Sequence, residues 1–326
     1  MDNELPSVTV LIAARPDLVE VRAVAASRAL DYPPARLEIL VARGQQPSAQ
    51  RNQGMRAAAG ELVYFLDDDS IPEPSNLRRA AGHFTDPQVQ MAGGPNVCPQ
   101  DAPALEQVFA LVLESWLAFG PSRARYTPVG RLRASSEKEL ILCNLIARRQ
   151  PMLELGGFNE ALYPNEENAL MDDLQKRGGK LLYDPQLVVH RRPRASRRAF
   201  VRMLRTYGRG RAEQFRVNPT LHSALNFAPP LFCLYLLALP FLAAFTPVGR
   251  LGLLPLGIYA VALLAQAAAL ARRAGVSRGF ATMPLIVLTH LLYGYGFWRG
   301  LFTRLRPPGQ RAPMPVALEA VKKMGE

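Results

Sequence analysis

Three consecutive carboxylates, Asp67, Asp68 and Asp69, end the apolar run of "ELVYFLDDDSIPEP". Carboxylates at i and i+2 can converge on one hard cation. Mg2+ and Mn2+ prefer oxygen ligands and accept substrate phosphates for the rest of their shell. The chemistry this stretch suits is therefore a divalent metal holding a diphosphate, with a solvated acidic loop as the plain alternative. A second concentration of charge is basic: ten arginines lie between Arg191 and Arg216. Within it, Arg198, Arg202, Arg205 and Arg209 recur at helical spacing, with Phe200, Met203 and Leu204 interleaved. That pattern suits an interfacial amphipathic helix facing lipid phosphates, and the positive-inside rule alone would also place arginines there.

The elements that must hold these residues are legible from periodicity. "SVTVLIAA" (7–14), "LEILVA" (37–42) and "ELVYFLD" (61–67) read as strands. Residues 17–30 and "PSAQRNQGMRAAAG" read as helices between them. Strand, helix, strand, helix, strand predicts an α/β, mostly parallel sheet with helices on its faces. Ligands of such sheets sit at the carboxyl ends of the strands, where Asp67–Asp69 lie. Residues 74–84 and 102–119 read as further helices, 120–140 as an irregular loop beside the site, and "LILCNLIAR" as another strand.

About a hundred residues beyond the aspartates comes "GGFNEALYPNEENALMDDLQKRGGKLLYDPQLVVH" (156–190). Together with the strand opening, the "RNQG" helix and "FLDDD", this segment makes residues 7–216 resemble glycosyltransferase family 2. Within that family the chain looks most like membrane glycosyltransferases of succinoglycan-type exopolysaccharide synthesis. The resemblance implies a GT-A (Rossmann-like) fold, a nucleotide-sugar donor, a divalent metal (Mn2+ or Mg2+) and inversion at the anomeric carbon. It assigns Asp69 and Asp67 to the metal, Asp67 and Asp68 to the nucleotide side, and His190 to completion of the metal shell. Glu167 takes the position of the catalytic base, where the family usually has Asp, and Glu166 stands next to it. A charged helix N-terminus favoured by the dipole is the alternative for both. Arg51 and Asn52 are expected near the diphosphate. The second strand departs from the family: Ala42, Arg43 and Gly44 occupy the place of its base-reading Asp. Ala13, Ala14, Arg15 and the Arg43 side chain are then the expected donor contacts.

A 49% hydrophobic composition excludes a disordered chain, and its apolar residues concentrate late. Residues 225–245, 251–271 and 280–302 form three long apolar stretches near the length that spans a bilayer. The third, with Thr289, His290 and several glycines, spans, lies in the interface or re-enters. The net charge of +12 has its basic cluster just before these stretches, so a membrane partner is expected and nucleic acid is not. Three scattered cysteines offer neither a zinc site nor a disulfide framework.

The expected organisation is a cytoplasmic catalytic domain (1–195), a basic juxtamembrane segment (196–222), a membrane domain (223–303) and a basic tail (304–326). The resulting expectation is transfer of a single sugar to a polyprenyl-linked acceptor at the inner membrane, for a cell-surface glycan. A polyprenyl-phosphate sugar synthase and a non-catalytic scaffold remain alternatives. The spacing of Gly296 and Gly300 matches the GxxxG pattern of helix packing, which in so glycine-rich a segment is weak evidence for a dimer and leaves the oligomeric state open.

Overall fold

Aliphatic and β-branched residues build the first strands, β1 (Val8–Ala14), β2 (Leu37–Arg43) and β3 (Leu62–Asp67). Helices α1 (Arg22–Arg28) and α2 (Pro47–Ala57) connect them. The computed structural model describes residues 5–162, 165–217, 219, 221–245, 249–305 and 315–326. Tyr163 and Pro164 of "YPNEEN", and Arg306 and Arg311 of the tail, lie outside the described residues. The chain continues through β4 (Ile71–Pro72), α3 (Asn76–His83), β5 (Val89–Gly93) and β6 (Asn96–Val97). Helices α4 (Ala104–Leu113) and α5 (Trp116–Phe119) follow. Next come β7 (Arg133–Ala134), β8 (Asn144–Arg148), α6 (Arg149–Glu154) and α7 (Glu166–Lys176), then β9 (Lys180–Tyr183) and β10 (Val189–His190). The last elements are α8 (Arg197–Val217), α9 (Ala228–Phe245), α10 (Leu254–Ala274), α11 (Val276–Phe302) and β11 (Ala317–Lys322).

Contacts divide the chain into two units. Met1–Pro99, Ala124–Arg192 and Arg306–Glu326 form the first, and Gln100–Arg123 with Pro193–Leu305 the second. The first unit holds an eight-stranded sheet in the order β11-β2-β1-β3-β8-β5-β9-β7. β1 pairs in parallel with β2 and β3, and β5 with β9, while β8, β7 and β11 run antiparallel to their neighbours. One face packs Val10, Ile12, Ile39, Tyr64 and Leu77, and the other Leu11, Met55, Phe65, Leu145 and Tyr183. Every strand near the middle is therefore apolar on both faces, as a sheet covered on both sides requires.

Two sequence expectations change here. The tail is not a mere basic extension, because β11 pairs antiparallel with β2 from Ala317↔Arg43 onward and caps that sheet edge. Residues 120–140 contain a short helical stretch (Gly120–Arg125) and β7, so they are only partly irregular.

In the second unit the Phe109 and Phe200 rings stack at 4.2 Å. Among the described residues, three helices are long and apolar enough to cross a membrane: Ala224–Phe241, Leu251–Ala274 and Val276–Phe302. Leu237, Phe241, Ile258 and Val261 stand exposed on them. Gly275, with φ 92°, alone separates α10 from α11. The two helices fold back so closely that a Cβ on Gly279 would meet the Ala271 nitrogen at 2.4 Å. The glycine pair of α11 faces α8 within the same chain. A Cβ on Gly296 would lie 2.2 Å from the Arg205 carbonyl oxygen, and one on Gly300 2.4 Å from that of Arg209. The GxxxG spacing thus serves an intrachain helix pair.

Candidate active site

β3 leaves the sheet at Asp67, and Ile71–Pro72 just beyond it join a second, three-stranded sheet in the order β4-β10-β6. β10 pairs antiparallel with β4, setting His190 opposite Ile71, and parallel with β6, setting His190 opposite Val97. A buried polar network fixes β10 against the main sheet. Tyr64 Oη donates to Asn144 Oδ1 (2.9 Å), Asn144 Nδ2 donates to the Leu187 carbonyl (2.7 Å), and Asn76 Nδ2 to that of Val188 (2.8 Å). The end of β10 is thereby carried to the aspartates that follow β3.

The residue delivered there is Arg191. Its Nε donates to Asp69 Oδ1, and its Nη2 lies 3.2 Å from Asp67 Oδ2. One guanidinium therefore bridges both ends of the i, i+2 carboxylate pair, and those carboxylates hold its pKa above the ordinary value against the opposing effect of burial. Asp68 feels the remaining negative charge. Burial first, then Asp69 and Asp67, push its pKa upward, while Arg191 and Arg15 pull it down.

A second guanidinium joins strand to helix. Arg51 of α2 donates through Nη2 to Asp67 Oδ1 (2.8 Å) and through Nη1 to Glu166 Oε1 (3.5 Å). Glu166 is 2% exposed, and burial, followed by the charge of Glu167, pushes its pKa upward. Both glutamates occupy the first turn of α7, where the helix dipole favours negative charge. The residue before them, Asn165, has φ 96°, a left-handed backbone that asparagine tolerates better than most. That turn buries Glu166 beside Arg51 and leaves Glu167 half-buried.

The other expected site residues take different places. His190 donates through Nε2 to Glu73 Oε1 (2.7 Å) and, among the described residues, no third His, Cys, Asp or Glu gathers with the aspartates into a metal cluster. The donor chemistry of Asp67 and Asp69 still fits a hard divalent cation, since both offer carboxylate oxygens at one strand end. Asn52 is occupied elsewhere. Its Nδ2 donates to the Phe158 carbonyl and Glu160 Oε1 (both 2.9 Å), and its Oδ1 accepts from the Phe158 nitrogen (2.8 Å). It clamps the "GGFNE" turn.

Arg43 donates to the Leu18 carbonyl (2.7 Å) and pairs with Glu319 of β11 (3.0 Å). Ala13 and Ala14 end β1, and Arg15 stands exposed beyond them. Gln50 went unnoticed in the sequence: its buried amide donates to the carbonyls of Ala14 (2.7 Å) and Ala42 (2.6 Å), stitching the ends of β1 and β2. Arg198, Arg202, Arg205 and Arg209 belong to the second unit and line one cleft there.

Residues 1–208 match the family model "Glycosyltransferase like family 2". Two curated relatives, the pre-mycofactocin glycosyltransferases of Mycobacterium tuberculosis strains CDC 1551 and H37Rv, are each 28% identical over 166 residues, or 50% of this chain. The match spans only 33% of the length of each relative. Among solved structures, a mannosyltransferase of Pyrobaculum calidifontis in complex with GDP-Man and Mn2+ superposes with a TM-score of 0.51 at 17% identity. That likeness covers 88% of this chain and 87% of the other, and it shows a shared GT-A-like fold. With the family model matching well over half of its length, the chain belongs to glycosyltransferase family 2.

Proposed function

We propose that this protein transfers a sugar, with inversion, from a nucleotide-sugar donor to a membrane-held, polyprenyl-linked acceptor in the synthesis of a cell-surface glycan, as in exopolysaccharide assembly. The observation that carries this reading is the chain of charge running from Glu166 through Arg51 and Asp67 to Arg191 and Asp69 at the end of β3. Such an array suits departure of a diphosphate, where negative charge develops and must be met by pre-placed groups.

Asp69 and Asp67 would hold a divalent cation, with His190, now engaged by Glu73, as the third candidate ligand. Bound there, the cation would neutralise charge on the leaving nucleoside diphosphate. Arg191 and Arg51 are the protein's own cations at the same place, and each can donate to phosphate oxygens once a carboxylate partner is shared. Glu167 removes the proton from the acceptor hydroxyl as that oxygen attacks the anomeric carbon on the face opposite the leaving group. No covalent enzyme intermediate is needed. Glu166, buried beside Arg51, sets the position of α7 and hence of Glu167.

The membrane setting rests on the three apolar helices of the second unit, and the catalytic unit is assigned to the cytoplasmic side by the basic residues that precede them. The test is thermal stabilisation of the detergent-purified protein by UDP, GDP, dTDP or CDP, each with and without Mn2+. Metal-dependent stabilisation by one nucleotide, absent in Asp69→Ala, is the expected result. No shift with any nucleotide far above plausible Kd values would defeat the donor assignment.

A further inference from the structure

The second unit contains a cleft of about 370 Å³ between α8 and α11. Arg198, Arg202, Arg205 and Arg209 line it from α8, and Arg299 and Tyr295 from α11. Among the described residues no carboxylate lines it, although Arg209 leans toward Glu213 at 3.4 Å. Five guanidinium groups around one concavity repel one another, and a concave basic surface concentrates anions.

Sequence periodicity accounts for four of these arginines as one stripe of α8. Arg299 is the informative one, because it comes from a different helix and reaches the same cleft. The glycines explain how. With Gly296 against the Arg205 carbonyl, Gly300 against that of Arg209, and Gly208 against that of Tyr293 (2.0 Å for a Cβ), the two backbones approach without intervening side chains. Tyr295 then lies beneath Arg205, whose guanidinium carbon is 5.1 Å from the ring centroid, and this supports the side chain toward the cleft. A membrane-orienting charge belt requires neither convergence from two helices nor a cavity.

We propose that this cleft binds the phosphate or diphosphate of the lipid-linked acceptor, with Arg202, Arg205 and Arg299 as its principal donors. Guanidinium forks match phosphate oxygens in pairs. The lipid character of the ligand follows from the apolar surface of the same unit, where Leu237, Phe241, Ile258 and Val261 are exposed. The proposal rests on the membrane-held acceptor of the preceding reading.

The experiment measures anisotropy of fluorescent farnesyl diphosphate on the full-length protein in a neutral detergent. EDTA is present throughout, so that the aspartates have no cation through which to hold phosphate. Arg202→Gln/Arg299→Gln is expected to weaken binding at least tenfold, Arg202→Lys/Arg299→Lys to weaken it less, and Arg272→Gln on α10 to leave it unchanged. Unlabelled farnesyl diphosphate should displace the probe, whereas farnesol should not.

Wild-type affinity in the double glutamine variant would overturn the proposal. So would displacement by inorganic pyrophosphate as effective as by farnesyl diphosphate, which would mark a site for soluble anions. Equal displacement by phosphatidylglycerol, marking a general lipid-surface contact, would do the same. The nucleotide stabilisation assay is read separately: its failure with intact, arginine-dependent probe binding would remove the donor reading and leave the lipid-phosphate site standing.

Discussion

At the scale of single residues, the site consists of carboxylates that two arginines bridge, and its behaviour should follow from which charge is removed. Glu167→Gln is expected to reduce transfer by about 10²–10⁴-fold, the usual contribution of a positioned base, while nucleotide binding measured by calorimetry stays near wild type. Glu166→Gln should cost much less, because burial already favours its neutral form. Removing Arg191 leaves Asp67 and Asp69 facing each other without their shared cation. Arg191→Gln should lower stability by about 1–2 kcal/mol, below the roughly 3–5 of a fully buried pair because the carboxylates keep water contact. Added Mn2+ should restore more of the melting temperature in this variant than in wild type, a comparison that differential scanning fluorimetry makes directly.

At the scale of elements, two fastenings carry predictions. Gly157 has φ 80° and lies where a Cβ would meet Asn52 Oδ1 at 2.4 Å. Gly157→Ala should therefore destabilise the turn before α7 by about 1–3 kcal/mol and lower transfer through misplacement of Glu167; urea denaturation and kinetics together test this. The other fastening is Asp184, which follows β9 and pairs with Arg79 (2.7 Å) and His83 (2.8 Å) of α3. Burial raises its pKa, but the hydrogen bonds from His83 and Arg79 prevail and hold it down to about 2. A depressed carboxylate stabilises the fold above its unfolded pKa, and that contribution disappears as pH falls through the folded value. About 2 kcal/mol should be lost between roughly pH 4 and pH 2, and Asp184→Asn should lack this component of the acid unfolding curve.

What was readable depended on how local the cause is. The first three strands, the aspartates at the end of β3 and the paired glutamates heading α7 follow from patterns within a dozen residues. Arg191 was invisible for a physical reason: it is one of ten arginines in a row of similar sites, and only the pairing of β10 with β4 singles it out. Asn52 was legible as part of "RNQG" but not its direction, which a turn more than a hundred residues away determines. β11 reads "ALEAVK", a composition that favours helix; it is a strand because the open edge of β2 pairs with it. The glycines of α11 announced close packing in their spacing, yet the identity of the partner, α8, depended on tertiary structure.

At the scale of the whole molecule, β11 does more than cover an edge. After Arg192 the chain leaves the first unit, runs through the three helices long enough to span, and returns to pair with β2 in the same sheet. A segment whose two ends join one sheet has a parity: with that sheet outside the bilayer, it traverses the bilayer an even number of times. For the three long apolar helices, the pairing of β11 therefore predicts an even number of crossings. Tags placed before Met1 and after Glu326 should be cleaved by protease together, from one face of sealed vesicles, and protection of one tag alone would contradict the pairing of β11. The basic turn at Arg272 and Arg273 adds a preference, since positive charge tends to stay on the cytoplasmic face. Parity is met by any two crossings, and because Tyr259 Oη of α10 lies 2.8 Å from His290 Nδ1 of α11, those two helices enter or avoid the bilayer together.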